Sequence, residues 1–442
     1  MSEVLLAPSL IPLVSIFAGC FTAPSFVTFQ HILAGWILCL ERHTVTGILR
    51  ASGAIGKKHH TSFHRFFRLA SWDLDSLGLC LIKLVLQLLP QDQPIIVPVD
   101  DTLGRHTGKH IRAASMHHDP LLSTRAKPVF HWGHVWVVLS IAVRVPMWKK
   151  TFALPVLARL YRAEKLCKKE RRQFRKKTEL AAEMIAVLAA AVPERRFLVV
   201  GDAAFANASI IKKLPANMDF TGRARPDAAL YALPSPQRMG RPRVKGKRVP
   251  SPGQRARRSD DWLRLKVDVY GRTVKVRVKV FDALWYTVSG GRLLRFVLVR
   301  GWPGHKDDDV FCSTELSAEP KQIIQNYCLR WPLEVTFHEA KGKLGFEEPQ
   351  NRTDRAVERT APMSLWTYTL TVAWYITTGA SLKAARSLPQ FPWYSKTAPA
   401  FSDMLAALRR EAWRHRLLES SPAVVANQKS LAPLLQAVAY AG

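Results

Sequence analysis

The sequence predicts an α/β fold in which a strand-rich insertion interrupts a sheet-and-helix core and helical regions flank both ends. Three features require it. PIIVPVD (94–100) and RRFLVVGD (195–202) are short apolar runs that each end in an acid, and HVWVVLSIAV (134–143) between them is a third strand. WLRLKVDVYGRTVKVRVKVFD (262–282) alternates apolar and charged residues around a turn at Tyr270–Gly271–Arg272, the pattern of a half-buried hairpin. The two ends of the chain lack this alternation and have helical texture.

Taken in order, residues 1–90 form a helical block. No Asp, Glu, Lys or Arg occurs from Val4 to Leu40, but Pro8, Pro12 and Pro24 interrupt the run and six Ser, Thr and Gln residues dilute it. That composition fits two or three short buried helices rather than a membrane anchor, and the leading charge, Glu3, is the wrong sign for a signal peptide. TVTGILRASGAIGKKHHTSFHRFF (44–67) reads as two helices around a glycine-containing turn, the second capped near Ser62. A helix-turn-helix and an ordinary helical hairpin both fit it. Lys57, Lys58 and Arg65 suit phosphate contacts there. LDSLGLCLIKLVLQLLP closes the block at Pro90.

Residues 91–216 form the first part of the α/β core, including a strongly basic stretch from Ala163 to Ala191 that lacks Gly and Pro and reads as one long helix. Residues 217–310 form the insertion. Nine of the 21 residues from Arg238 to Arg258 are Lys or Arg, and their interspersed Pro and Gly make a mobile basic loop that includes Arg241, Arg243, Lys245 and Lys247. RLLRFVLVRGW (292–302) is a further strand. The core resumes over 311–380, and 381–442 is a C-terminal helical region in which 400–440 offers a dimer surface.

The formal charge is +31, from 65 Lys and Arg against 34 Asp and Glu, and 10% of the residues are aromatic. Such a balance implies a polyanionic partner, nucleic acid before an anionic membrane surface. The six cysteines form no C-x-x-C pair, which excludes a zinc ribbon or a dithiol redox motif and leaves them as reduced core residues.

The stretch YCLRWPLEVTFHEAKGKLG (327–345) places Tyr327, Arg330, Glu334 and Lys341 at offsets of 0, 3, 7 and 14. Pro332 sits where a helix tolerates it, in the first turn. On the helix that follows, Glu334 and Lys341 share one face with His338, while Leu333, Phe337 and Leu344 form an apolar stripe. A charged solvated face would explain the stretch taken alone, and an acid after a strand is by itself a turn or cap residue. Asp100, Asp202 and Glu334 together can converge at one sheet edge. Three carboxylates there would need compensation by Mg²⁺ or Mn²⁺, often a pair about 4 Å apart.

The stretch resembles the signature Y-x2-R-x3-E-x6-K of DDE transposases of bacterial insertion sequences, without a gap, and VDDTLGRHTGKH and LVVGDAAFAN resemble that family's first two acidic blocks. The resemblance spans about 95–345 and implies an RNase H-like core with a β-rich insertion between the second and third acids. It also implies that Asp100, Asp202 and Glu334 are catalytic metal ligands for two Mg²⁺ or Mn²⁺ ions. By the same resemblance Tyr327, Arg330 and Lys341 hold DNA phosphates, and Trp285, Trp262 or Trp302 holds an unstacked base, although core packing explains these tryptophans as well. Strand alternation lets one of Asp100 and Asp101 face the site; the family pattern favours Asp100, with Asp101 the alternative. The implied activity is cut-and-paste transposition in the bacterial cytoplasm, at the nucleoid, on double-stranded terminal repeats and target DNA, by a homodimer with no membrane partner. A catalytically silent DNA-binding repressor and a nuclease without strand transfer are the alternatives.

Overall fold

The computed structural model describes residues 4–442 apart from Arg125, 237–240, Pro303, 380–389, 421–433, 436–437 and 440–442. Its strands, in chain order, are β1 (Ile95–Arg105), β2 (Ser115–His118), β3 (Phe130–Val145), β4 (Lys150–Tyr161), β5 (Phe197–Gly201), β6 (Met218–Arg223), β7 (Leu230–Tyr231), β8 (Arg248–Val249), β9 (Leu263–Val269), β10 (Arg272–Ala283), β11 (Leu294–Arg300) and β12 (Asp309–Ser313). Ten of these make one sheet, β7 and β8 pair separately, and two further short strands, β13 (Gln390–Phe391) and β14 (Tyr394–Ser395), form a third pair.

The core lies in the spatial order β4-β3-β1-β5-β6. β1, β5 and β6 run parallel, β3 runs antiparallel to β1, and β4 runs antiparallel to β3. This is an RNase H-like arrangement. β5 is buried along its whole length, because helices cover both faces of a sheet of this kind. Helix Lys177–Ala191 packs against β3 and β4 on one face, and helix Trp331–Lys343 against β4 and β1 on the other. Beyond β6 the sheet continues β12-β11-β10-β9, all antiparallel, so the strand-rich insertion lengthens the core sheet. β6, inside the stretch 217–310, is itself a core strand. The β9–β10 turn has positive φ at both Tyr270 (52°) and Gly271 (77°), the backbone that a two-residue hairpin demands.

Helices Ala23–Leu38, Val45–Ala51, His60–Arg68 and Leu74–Leu86 pack with Asp354–Trp374 and Phe401–Ser420 into the main apolar core. Among the described residues no helix is long and apolar enough to cross a membrane.

The structure corrects three expectations and narrows a fourth. β1 does not end at Asp100 but runs on to Arg105, leaving the acid in mid-strand. The basic stretch 163–191 is two helices, Glu164–Lys169 and Lys177–Ala191, broken where Arg171 takes φ 53° and Glu170 turns inward to meet Arg112 and Arg162. The sequence reading placed no strand at 150–161, where β4 runs. Its Pro155 lies at the register shift between Leu139 and Ser140 of β3, a place where a missing backbone donor is tolerated. The described helix of the 400–440 stretch buries Phe401, Met404, Leu405 and Leu408 in the core and ties Arg409 to Ile37 O at 2.7 Å. That face is internal, Arg414 and Arg416 on the same helix are exposed, and 421–433 lie outside the described residues.

Candidate active site

The registers bring the first two acids together. β1 and β5 are parallel with Pro98 opposite Val200, so Asp100 and Asp202 each follow that pair by two residues at the same end of the sheet, near enough for Asp202 to raise the Asp100 carboxyl. Asp202 follows the strand, and its Oδ1 accepts from the backbone N–H of Ala204 at 2.8 Å and Phe205 at 3.2 Å, which fixes the turn out of β5. Asp100 lies opposite Val138 of β3, whose side chain packs in the cluster with Leu333, Phe337 and Ala340 of helix Trp331–Lys343. The helix therefore covers the face to which Asp100 points. Asp101 points to the other face, where its Oδ2 meets Lys177 Nζ at 2.7 Å. Of the two neighbouring acids, Asp100 is the one turned toward Asp202 and Glu334.

The helix is seated as its apolar stripe requires. Leu333 and Leu344 are fully buried, Phe337 nearly so, and Thr336 donates to Ala153 O of β4 at 2.8 Å. It ends at Gly345 (φ 59°), a position where a Cβ would collide with Glu348 and His43. The chain then returns to β1, with Glu347 accepting from the Arg105 backbone at 3.1 Å.

Arg330 joins the acids. Its guanidinium pairs with Asp100 and reaches Glu334 at 2.6 Å, and its Nε is buried without a partner. The Arg330 guanidinium lies 5.9 Å from the Tyr327 ring centroid, and that ring packs at 4.7 Å against Phe311. Burial pushes the Asp100 carboxyl up to about 7; Arg330 opposes the rise and the neighbouring Asp202 adds to it. Burial likewise raises the Tyr327 phenol. Lys341 donates to Leu103 O of β1 at 2.6 Å and lies 3.5 Å from Glu347; burial lowers its pKa.

Three carboxylates form a hard oxygen donor set, which fits a divalent cation of the Mg²⁺ or Mn²⁺ kind. Among the described residues, no three His, Cys, Asp or Glu side chains already stand close enough together to hold a metal ion. Arg330 lies between Asp100 and Glu334 and supplies the positive charge there.

The remaining sequence candidates lie in other parts of the fold. Lys58 donates to Pro24 O at 3.1 Å and Thr28 Oγ1 at 2.9 Å, which makes it a tie between N-terminal elements. Lys57 and Arg65 are exposed beside it, and Arg241, Arg243 and Lys247 are exposed on the loop before β8. Lys245 is stacked 4.0 Å over the Tyr231 ring. Trp285 corrects the expectation made for it: at 7% exposure in the main core it presents no open face to a base. Trp302 is buried too, and the Trp262 ring is engaged by Lys279 at 5.1 Å and Arg300 at 4.2 Å. Lys177 and Glu347 were not found from the sequence, because their partners Asp101 and Lys341 meet them only through the sheet and the helix-terminal turn.

Compared with known proteins, the chain is similar to a solved piggyBac transposase in a synaptic complex with hairpin DNA. The identity is 10% and the TM-score 0.41, over 98% of this chain and 82% of that one. No curated protein matches it. The family described as DDE superfamily endonuclease matches residues 17–282, well over half of the chain and inclusive of Asp100 and Asp202. With two acids of the site inside that match and the third on the helix laid over them, this chain belongs to the DDE superfamily endonucleases.

Proposed function

We propose that this protein is a DNA transposase of the insertion-sequence type, which cuts double-stranded DNA at the ends of a mobile element and joins the freed ends to a target. The observation that supports the reading is Arg330, which pairs with both Asp100 and Glu334 while Asp202 lies beside Asp100 at the same end of β1 and β5.

Asp100, Asp202 and Glu334 would hold Mg²⁺ or Mn²⁺, two ions in the full complex; when bound, such ions activate an attacking oxygen and stabilise a leaving one. The protein's own groups do the rest. Arg330 exchanges its two carboxylate partners, one on each terminal nitrogen, for a phosphate of the element end that both nitrogens can hold. Lys341, released from Leu103 O, takes a second phosphate, and the Tyr327 hydroxyl supports the first. Water attacks phosphorus in line, and the P–O3′ bond breaks to liberate a 3′-hydroxyl. That hydroxyl then attacks a target phosphodiester, forming one P–O bond as another breaks. No covalent protein intermediate is needed. The exposed Lys57, Arg65, Arg241, Arg243 and Lys247 add backbone contacts to flanking DNA. Two ends must be cut together, so a homodimer forms on DNA, in the bacterial cytoplasm where the nucleoid lies.

The test is excision and joining of a mini-element carrying the ends that flank the gene, for wild type, Glu334→Gln and Asp202→Asn, with and without Mg²⁺. Activity confined to wild type with metal supports the three-acid mechanism. Cutting without joining makes the protein a nuclease. Equal binding by all three proteins with no cutting makes it a DNA-binding repressor.

A further inference from the structure

β9 is the outer edge of the ten-stranded sheet, and it pairs with β10 in a register that sets like charges against each other. Lys266 lies directly opposite Lys275, and Arg264 directly opposite Arg277. All four are exposed. Nearby acids on this face are committed elsewhere: Asp260 to Lys279, and Asp268 to Thr273 at 2.6 Å and Lys321 at 3.1 Å. Among the described residues, no acid pairs with any of the four cations. Directly opposed like charges weaken an antiparallel pair. The fold gains nothing from them, whereas a polyanion laid across the ribbon would be held by all four.

The position of this face matters. The alternate residues Val267, Val269, Val274, Val276 and Val278 are buried against Ile323, Ile324 and Cys328, on the helix that leads into Arg330 and Glu334. Strand alternation therefore turns the cationic rows to the opposite side of the sheet from the helix. DNA held there is not the DNA at the acids. A two-stranded ribbon is narrow enough to enter the major groove of B-DNA, and cations two residues apart along each strand, about 7 Å, can follow a phosphate backbone.

We propose that the outer face of the β9–β10 ribbon, through Arg264, Lys266, Lys275 and Arg277, binds the backbone of a second DNA duplex, apart from the one at the carboxylates. This rests on the transposase reading, since strand transfer needs two duplexes in one complex. The contact is electrostatic and independent of sequence.

The experiment compares the full-length wild type with the quadruple variant R264Q/K266Q/K275Q/R277Q, using fluorescence anisotropy with a random-sequence 30-bp duplex across a range of salt concentrations. Four phosphate contacts predict that the log–log salt slope falls by about 3.6 in the variant. The charge-keeping variant R264K/R277K retains the wild-type slope and shows that the ribbon folds. An unchanged slope in the quadruple variant overturns the proposal, as does wild-type binding of polyglutamate as tight as that of the duplex. Metal-dependent nicking of an element-end duplex by wild type is read in parallel. Nicking with an unchanged slope sinks the ribbon alone, whereas absence of both nicking and duplex binding in wild type sinks the transposase reading with it.

Discussion

Lys177 Nζ lies 2.7 Å from Asp101 Oδ2, on the side of β1 opposite to the one Asp100 shares with Arg330 and Glu334. Two consecutive acids thus have separate duties, and two substitutions separate them. Asp101→Asn should leave cleavage within about threefold of wild type and change stability by about 1 kcal/mol or less, since the pair is a partly exposed ion pair. Asp100→Asn should lower the cleavage rate by at least about 10²-fold, the loss that follows when several kcal/mol of transition-state charge stabilisation is removed. Single-turnover nicking and thermal melts of both variants measure this. Equal losses in the two would contradict the assignment of faces.

Arg330 competes with any cation for Asp100 and Glu334, because it already pairs with both. Replacing it with Gln leaves those carboxylates without their present counter-charge. Arg330→Gln should therefore have a lower Tm than wild type without divalent metal and a larger upward shift on adding Mg²⁺. A charged hydrogen bond of about 1.5 kcal/mol removed from the competition corresponds to roughly tenfold tighter metal binding. Calorimetric titration with Mg²⁺ reads the affinity directly and needs no catalysis. Weaker Mg²⁺ binding in Arg330→Gln would mean that Arg330 orients the carboxylates for the metal instead of competing with it.

Acid should weaken the fold through its buried histidines. Burial lowers His31 and His117 to about 4 and His134 to about 3. Lys57 and Lys58 face His31, Lys177 faces His117, and His106, His117 and Arg162 face His134, each adding to the depression. His134 is also fixed between His106 Nε2 and Arg112 O, both at 2.9 Å. With folded pKa values below the unfolded 6.5, these groups contribute stability that is complete above pH 6.5 and lost as pH falls toward 4. Each costs about 1.4 kcal/mol per pH unit in that window. Melting temperatures from pH 8 to 5 should stay level and then drop below about 6.5. His31, whose two ring nitrogens have no partner, should contribute part of that drop, so His31→Leu melts higher than wild type at pH 5.5.

Local pattern made some of this legible and long-range partners concealed the rest. The β9–β10 hairpin was readable because its alternation and its Tyr270–Gly271 turn are confined to about twenty residues. The shared face of Glu334 and Lys341, and the buried stripe behind it, followed from helical periodicity alone. By contrast, the break at Glu170–Arg171 depends on Arg112 and Arg162, which come from other segments, and nothing within 163–191 announces it. β4 was missed because Pro155 argues against a strand until β3 supplies a bulge for it. Trp285 failed as a base platform for a similar reason, since its burial depends on what the rest of the core packs around it. Arg330 was legible as a cation beside an acid, but its bridge to Asp100 needs the sheet to bring residue 100 beneath residue 330.

The same break hides a dense charge cluster. Arg162 reaches Asp354 at 2.8 Å, Glu358 at 3.0 Å and Glu170 at 3.4 Å, and Arg112 and Arg172 meet Glu170 and Asp354 from the other sides. The Glu170 side chain is 8% exposed and that of Arg162 10%, so deleting Arg162 removes three charged contacts at once from a largely buried cluster, with Arg112 and Arg172 still meeting Glu170 and Asp354. Arg162→Ala should cost about 3–5 kcal/mol of stability. The control is Arg50→Ala, whose partner Glu41 and own side chain are both 66% exposed at a contact of 3.1 Å; it should cost under about 1 kcal/mol. Chemical denaturation of the two variants beside wild type separates them. Similar small losses would mean that water reaches the Arg162 cluster as freely as it reaches the surface pair, and that the cluster does not hold the end of β4 to helix Asp354–Trp374.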